Sequence, residues 1–520
     1  MGLIRSAFTV GVFILVSRFS GFMREVVMAF SLGVGIYSDA FLVALRIANT
    51  FRRIFAEGAF NAAFLPCFSR VLNHEGKKEA NTLLSEVFSS MILILVSFSL
   101  LVIVFFPNLL RVLVSGFDVL GEKFKISVIS GRICFSYLIL ISITSLFGGV
   151  LNTINRFALP AVIHSLLSIF VTIGLLIGYF LKLPDDYTVY IASIGVVLSG
   201  IVQCYVLFRS IKKHDFGIWF RTNCWSPRVR KIMKNMLPGI IGAGVWQLNL
   251  LVDTTISSHL PTGTITCVNM ADRLCQLPLG TLGIAMNTAL LPLLSKFIGA
   301  GKYEEARIEL ERGVLLAFFL TFLATTILMS LSEPSVSVAF RRGMFDEECV
   351  RITASTVVGF SIGLPAYVLA KVFSSLYFAA GDTKTPVIFA IYSVISNVMF
   401  FLLLVPFLKY FGLALATSLS AFFNVFLLVR YSSRKLRMEF SRKFWKKVLS
   451  QFIAAICTYL SLTKLSDSYW DIDLGAKAIK WLIYTGFIVA AVTIFFLVAA
   501  LCLRFTGQKQ WKLWKEESWQ

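Results

Sequence analysis

The chain is poor in the residue patterns that enzyme chemistry and metal binding usually require. Among 520 residues there are only four histidines, and His74, His164, His214 and His259 lie scattered with no common spacing. The nine cysteines occur singly, without a CxxC pair or a partner histidine, so neither metal nor disulfide chemistry is expected. No Walker A run is present, which argues against direct use of a nucleotide. No DDxxD-like run or paired histidine is present either, and a membrane phosphatase or glycosyltransferase of polyprenyl phosphates would need one. The acidic run Asp346, Glu347, Glu348 sits beside Arg341 and Arg342 and reads as solvated surface. Charge of either sign is scarce, at 15% of residues against 57% hydrophobic, which puts the chain outside ordinary soluble composition. The bilayer is its solvent.

Crossing hydrocarbon takes about 20 mainly apolar residues in a helix. Fourteen such stretches can be read along the chain. Six run Ala7 to Phe30, Ser38 to Phe60, Leu83 to Phe106, Ile126 to Leu151, Leu159 to Leu181 and Thr188 to Phe208. Six more follow a basic link, from Met236 to His259, Ile265 to Leu294, Gly313 to Leu331, Val350 to Ala379, Pro386 to Pro406 and Gly412 to Tyr431. Two extra stretches, Val448 to Leu465 and Trp481 to Leu503, end the series. The runs are continuous and show no period-two alternation, so the expected fold is an all-α polytopic membrane protein and not a barrel. The first stretch is no cleavable signal, because Arg18 and Arg24 interrupt it.

The 49 Lys and Arg outnumber the 28 acids, but they follow the links in a manner foreign to a nucleic-acid binder. Between Arg209 and Lys234 eight basic residues face a single acid, Asp215, and after Tyr431 the pattern recurs with seven basic residues against Glu439. The alternate links around Asp185 and Asp186, and around Asp467, Asp471 and Asp473, are acid-rich. By the positive-inside rule this places both termini in the cytoplasm.

An internal repeat organises the first twelve spans. GAFNAAFLPCFS, from Gly58 to Ser69, matches IAMNTALLPLLS, from Ile284 to Ser295, at an offset of 226 residues, and Pro160 falls on Pro386 at the same offset. Six spans per copy, an even number, give both copies the same orientation, which is a parallel repeat suited to alternating access. The expected organisation is a six-helix bundle over 1–220, a second over 221–440, and two extra helices with a tail over 441–520.

The two copies differ in charge. Spans one and two hold Arg18, Arg24, Glu25, Asp39, Arg46, Arg52, Arg53 and Glu57, whereas Arg52, Arg53 and Glu57 fall on Pro278, Leu279 and Gly283 in the second copy. That copy retains mainly Asp253, Asp272 and Arg273. A charge at the bilayer centre costs roughly 2.5 to 3.5 kcal/mol on insertion scales, so these groups must line water or pair. Arg53 and Glu57, four apart, share one helix face, and Arg18 and Glu25, seven apart, share another. Positive charge is left over, and an anion would complement it, because an arginine fork matches phosphate oxygens and cannot lose its proton. Arg46, Arg52 and Arg53 also fit a simpler role as anchors at a helix end. Lys371 and Arg132 are single charges that read as structural or snorkelling.

These residues resemble a known family, the MurJ (MviN) lipid II flippases of the multidrug/oligosaccharidyl-lipid/polysaccharide exporter superfamily. The resemblance spans essentially the whole chain: Ser17, Arg18, Gly21, Arg24 and Glu25; Asp39, Ala40 and Phe41; RRIFAEGAF from Arg52 to Phe60; LNTINRF from Leu151; ADRL from Ala271; and DTKTP from Asp382. It implies a flippase carrying lipid II, the undecaprenyl-diphosphate-linked peptidoglycan precursor, from the inner to the outer leaflet of the bacterial inner membrane. It also implies a central cationic cavity built with Arg18, Arg24, Arg52 and Arg273, accompanying acids including Asp39 and Glu57, with Arg53 in the same motif, and a hydrophobic groove along the last two spans for the polyprenyl tail. Some family members bind sodium between spans seven, eleven and twelve. Here Asp253, Asn397 and Thr417 could supply ligands, although the next inward turn after Asn397 carries Phe401 and not an acid, and a hard cation wants several oxygens. No other cofactor is expected. Membrane lipids, no nucleic acid and a monomeric state complete the reading. The runner-up is an exporter of another polyprenyl-linked glycan or of drugs in the same superfamily, which would share the repeat but not RRIFAEGAF.

Overall fold

The computed structural model describes residues 3–221, 225–435, 438, 440–469 and 477–505. Helix covers every one of the fourteen expected stretches, and no strand occurs among the described residues. Among the described residues, eight helical stretches are long and apolar enough to cross a membrane, by length and composition. The continuous stretch Lys384–Arg434 is one of these eight and covers both the eleventh and twelfth expected spans, which break at Lys409 (φ 45°, ψ −118°).

The chain divides into two compact units, one of Met1–Asn269 with Phe340–Cys349, the other of Met270–Ala339 with Val350–Gln520. The first unit holds α1 (Leu3–Ser31), α2 (Ile36–Arg52), a π-helical segment (Arg53–Gly58), α3 (Ala59–His74), α4 (Lys77–Val104), α5 (Phe106–Leu113), α6 (Glu122–Thr153), α7 (Ala158–Val162), α8 (Ser165–Phe180), α9 (Asp185–Lys213), α10 (Pro227–Ser258) and the start of α11 (Thr264–Gly299). α6 lies at its centre and packs against α2, α3, α4 and α9. With no water in the bilayer core, polar side chains along such helices must be satisfied internally. Ser127, Ser142 and Ser193 each donate to the carbonyl four residues back, at 2.7 to 2.8 Å.

α8 and α9 approach closely because small residues line their contact. Gly174 and Gly178 stand four apart on α8, and a Cβ on Gly178 would come within 2.4 Å of the Thr188 side chain. Gly195 on α9 would meet the Phe170 carbonyl oxygen at 2.8 Å. Such spacing of glycines lets helix backbones meet without side chains between them. α10 begins at a Ser226 cap whose hydroxyl accepts from the Val229 N–H, with Pro227 at the first helical position. Along its length α10 packs against α3 and the π segment.

The second unit holds the rest of α11, then α12 (Tyr303–Ser330), α13 (Ser332–Phe340) up to Ala339, α14 (Glu347–Ile362) from Val350 onward, α15 (Leu364–Ala379), α16 (Lys384–Lys435), α17 (Arg442–Tyr469) and α18 (Lys477–Phe505). The expected tenth span is two helices, because Pro365 in the first turn of α15 cannot continue the ladder of α14. The core of this unit gathers Leu310, Val372, Phe373, Leu376 and Leu428. Tyr377 is wholly buried there and donates its hydroxyl to the Leu428 carbonyl at 2.7 Å. α17 and α18 pack on each other and on α12, with Ala454, Phe495 and Ala499 buried between them. Arg437 and Glu439 of the second basic link, and Asp471 and Asp473 of the last acidic one, lie outside the described residues.

Candidate functional site

Charge inside the first unit is held by specific partners. On α1, Arg24 donates from Nη2 to Glu25 Oε1 at 2.5 Å, with side chains 7% and 0% exposed. The other oxygen of Glu25 accepts from Asn269 Nδ2 at 3.1 Å. Neighbouring positions on a helix point apart. The long arginine side chain therefore has to fold back along the helix, which leaves an ion pair of no net charge in the interior. Arg18, one and a half turns earlier, is half-buried.

Asp39, in the first turn of α2, is the most heavily hydrogen-bonded carboxylate of the unit. It accepts from Lys123 Nζ at 2.6 Å, from the Gly263 N–H at 2.8 Å, from the Thr266 N–H at 2.9 Å and from Thr266 Oγ1 at 2.6 Å. Gly263 precedes α11 and Thr266 lies in its first turn, so the carboxylate satisfies N–H groups that the helix leaves unpaired and also complements its positive end. Lys123 lies over the Phe117 ring as well, 4.2 Å from the centroid. In this conformation Asp39 is a tie between helices.

The motif RRIFAEGAF behaves differently from ordinary helix. Arg53–Gly58 winds as a π-helix, a form that is rare and concentrates at functional sites. Arg52, just before it, donates from Nε to Asn49 Oδ1 at 3.1 Å, and Arg53 is exposed. Phe51 and Phe55 stack beside the widened turn with ring centroids 6.3 Å apart, and both rings meet Phe98. Arg46, one turn earlier, donates to Thr254 Oγ1 of α10 at 2.9 Å. The side chain of Glu57 lies outside the described residues.

The first unit thus brings Arg18, Arg24, Asp39, Arg52 and Arg53 onto α1, α2 and the π segment, with Asp253 on α10. Arg273 belongs to the second unit, where it is half-buried, and beside it Gln276 donates to Asp272 at 2.5 Å. Asn397, fully buried, and Thr417, which donates to the Leu413 carbonyl at 3.2 Å, are also in the second unit. Spacing alone did not point to Lys123, Gly263, Thr266 or Asn269, because each meets its carboxylate across 84 to 244 positions of sequence. Among the described residues no group of three or more His, Cys, Asp or Glu is placed to hold a metal ion.

Fold and charge together define a polytopic helical membrane protein. Residues 28–474 match the profile of the family described as Lipid II flippase MurJ. The chain belongs to that family. Among its curated relatives, the probable lipid II flippase MurJ of Rickettsia prowazekii (strain Madrid E) is 34% identical over 465 residues, covering 89% of this chain and 90% of the relative. The lipid II flippase MurJ of Burkholderia cenocepacia is 33% identical over 434 residues, covering 82% and 83%. A solved structure titled Lipid II flippase MurJ, inward closed conformation, superposes with a TM-score of 0.79 at 23% identity over 96% of this chain and 99% of that one. An inward-facing multidrug resistance MATE transporter of the MOP superfamily shares the fold at a TM-score of 0.70 and 14% identity, over 81% and 94%.

Proposed function

We propose that this chain carries lipid II from the inner to the outer leaflet of the bacterial inner membrane by alternating access, with both termini in the cytoplasm, acting as a monomer among membrane lipids and without nucleic acid. The observation that carries this is a fully buried arginine–carboxylate pair in the first span of a member of the lipid II flippase family. An undecaprenyl diphosphate presents anionic oxygens that an arginine fork can bind as it binds a carboxylate, so it can take the place of Glu25 on Arg24. The bare diphosphate would face a Born cost of tens of kcal/mol in hydrocarbon, and arginines in a wet cavity replace its lost water.

In this reading Arg18, Arg24, Arg52, Arg53 and Arg273 contact the anionic headgroup, with Asp39 and Glu57 as accompanying acids. Two six-span repeats, 1–220 and 221–440, supply the rocking bodies. The helices of 441–520 guide the tail. An anion exported from a negative-inside cell moves downhill by about 2.3 kcal/mol per charge per 100 mV, so membrane potential suffices without a nucleotide.

The test has two arms. Depletion in the native host should accumulate lipid-linked precursor on the inner leaflet and cause lysis, which only the intact gene rescues. Arg18→Ala, Arg24→Lys and Arg273→Ala should each reach normal abundance and fail to complement, since loss of a charge-assisted contact to the headgroup costs about 2 to 5 kcal/mol. Complementation by two of the three would sink the cationic site.

A further inference from the structure

Away from its internal charges, the first unit carries a groove that changes character along one helix face. The apolar part, 290 Å³, lies between α4, α6 and α9 and is walled by Phe88, Ile143, Phe147, Cys204, Tyr205 and Phe208. Ile201, Cys204, Tyr205 and Phe208 recur at helical spacing on α9, and the same face continues into Arg209 and Lys212. There a second hollow, 510 Å³, is lined by Val206, Arg209, Ser210, Lys212 and Lys213. At about 1.5 Å of rise per residue, the first cation stands roughly 6 Å along the axis from Tyr205.

The wall of this groove is held in register by the link that follows α9. That link lies along α4, where the Trp219 N–H donates to Ser85 Oγ at 3.1 Å and the Arg221 N–H to Ser89 Oγ at 3.0 Å. Phe220 is thereby set against Phe88, with ring centroids 5.4 Å apart. Phe88 stacks in turn on Phe147, and Phe147 meets Phe208, so aromatic rings run from the link through α4 and α6 to α9 where the apolar face ends. Aromatic side chains collect at the depth where hydrocarbon gives way to headgroups. Charge at this level has no internal complement. Among the described residues no ion pair holds Arg209, Lys212 or Lys213, and Asp215, the single acid of the link, goes to Lys77 at 3.0 Å.

We propose that this groove binds an anionic phospholipid of the cytoplasmic leaflet, with an acyl chain against the aromatic wall and the phosphodiester among Arg209, Lys212 and Lys213. Charge complementarity selects this occupant. A second copy docking through the same face would bring the same cations together, as a two-fold interface requires. A zwitterionic lipid would bring a cation of its own. Near an anionic leaflet each Lys or Arg is worth about fivefold in affinity, and the effect fades within a Debye length. Three unpaired cations at the end of an apolar groove therefore discriminate between headgroups, while the groove itself only requires a chain. The proposal rests on the proposed orientation and is independent of which lipid is carried across.

The experiment uses the full chain in phosphatidylcholine vesicles doped with a photoreactive probe, either phosphatidylglycerol or phosphatidylcholine, each carrying the same diazirine acyl chain. After irradiation, digested peptides are read by mass spectrometry. The expected result is label on the α6 peptide holding Ile143 and Phe147 and on the α9 peptide holding Tyr205 and Phe208, at least about tenfold stronger with the phosphatidylglycerol probe. The combined Arg209→Gln, Lys212→Gln and Lys213→Gln variant should label alike with both probes, whereas Arg209→Lys, Lys212→Arg and Lys213→Arg together should keep the preference. Cys204→Trp fills the groove and leaves every charge in place, so it should lose label from both probes while eluting as folded protein in size exclusion. Equal labelling of the native chain by the two probes overturns the proposal, as does a preference that survives the glutamine variant. Either result leaves the flippase assignment to its own test. Displacement of the label by undecaprenyl phosphate and not by unlabelled phosphatidylglycerol gives the groove to a polyprenyl chain and overturns the proposal as well. A dimer whose groove takes neither probe gives the face to a second copy and overturns it too.

Discussion

Replacing Asp39 with Asn is a direct test of what holds α2, α6 and α11 together. The carboxylate accepts four hydrogen bonds from Lys123, Gly263 and Thr266 with no solvent exposure of its own. An amide of the same shape keeps one acceptor oxygen and presents an NH2 group to donors that need an acceptor. It also leaves the Lys123 ammonium, 15% exposed, without its carboxylate. Breaking a buried pair from one side typically costs about 3 to 5 kcal/mol. At roughly 2 °C per kcal/mol for large domains, the thermal midpoint should fall by about 6 to 10 °C. Lys123→Met should cost clearly less, because Asp39 would still accept two backbone N–H groups and a hydroxyl, and the Phe117 ring would pack on the new side chain. Detergent-solubilised protein heated in steps and read by fluorescence-detected size exclusion gives both numbers, and the double variant gives their coupling. The exposed pair Lys77–Asp215, 44% and 87% exposed, serves as the control that should change almost nothing. If Asp39→Asn shifts the midpoint no more than that control, or if Lys123→Met is the worse of the two, the carboxylate is not the tie described above.

Three other perturbations have equally definite outcomes. Gly178→Val should separate α8 from α9, because its Cβ alone would stand 2.4 Å from Thr188; folded yield in the membrane should drop severalfold, whereas Gly244→Ala, with open space around it, should not lower it. Arg24→Lys should retain folding but lose most transport in a reconstituted flipping assay, since a single ammonium cannot reproduce the bidentate fork, and near-normal flipping by this variant would refute a geometric role for the guanidinium. Hydrogen bonds from the Cys349 thiol and then its backbone N–H hold Asp346 below the usual carboxylate range. A depressed folded value means the cap stabilises α14 above the ordinary carboxylate pKa and is lost as pH falls through the folded one. Hydrogen exchange at the start of α14 should therefore quicken on acidification below about pH 4 in the native chain, with no such step in Asp346→Asn.

Much of the fold could be read because a bilayer reduces the problem to length and polarity. Every expected stretch is helical, since a chain in lipid has no other way to satisfy its backbone. What could not be read is where helices bend and what their charges touch. The π turn at Arg53–Gly58 leaves no periodicity signal, because a single residue of extra winding shifts nothing that hydropathy averages detect. The break at Lys409 is the exception, since it falls in the gap between Pro406 and Gly412 that already separates the eleventh and twelfth expected spans. Arg24 and Glu25 were legible as charges that must pair. Their pairing with each other, and with Asn269, was not, because adjacent helical positions normally diverge and Asn269 lies 244 positions away.

The internal repeat now takes on a physical meaning that its sequence match alone lacks. Glu57 of the first copy corresponds to Gly283 of the second, and the side chain of Lys371 lies over that glycine, so close that a Cβ there would come within 2.7 Å of Nζ. The second copy has therefore replaced an acidic position with an empty one and laid a cation from α15 across the gap. A lysine buried on a helix backbone needs such a space, since its long apolar stem packs while its ammonium seeks oxygen. Substituting Gly283→Ala would push that ammonium aside without touching any arginine of the first unit. A carrier whose copies were interchangeable would concentrate no net charge in either one. Here spans one and two of the first copy hold Arg18, Arg24, Arg46, Arg52 and Arg53, while the matching spans of the second present Arg273, and α15 lays a lysine on glycine. The two copies can then respond unequally to the same anion, and alternating access needs that inequality if loaded and empty carriers are to prefer different conformations.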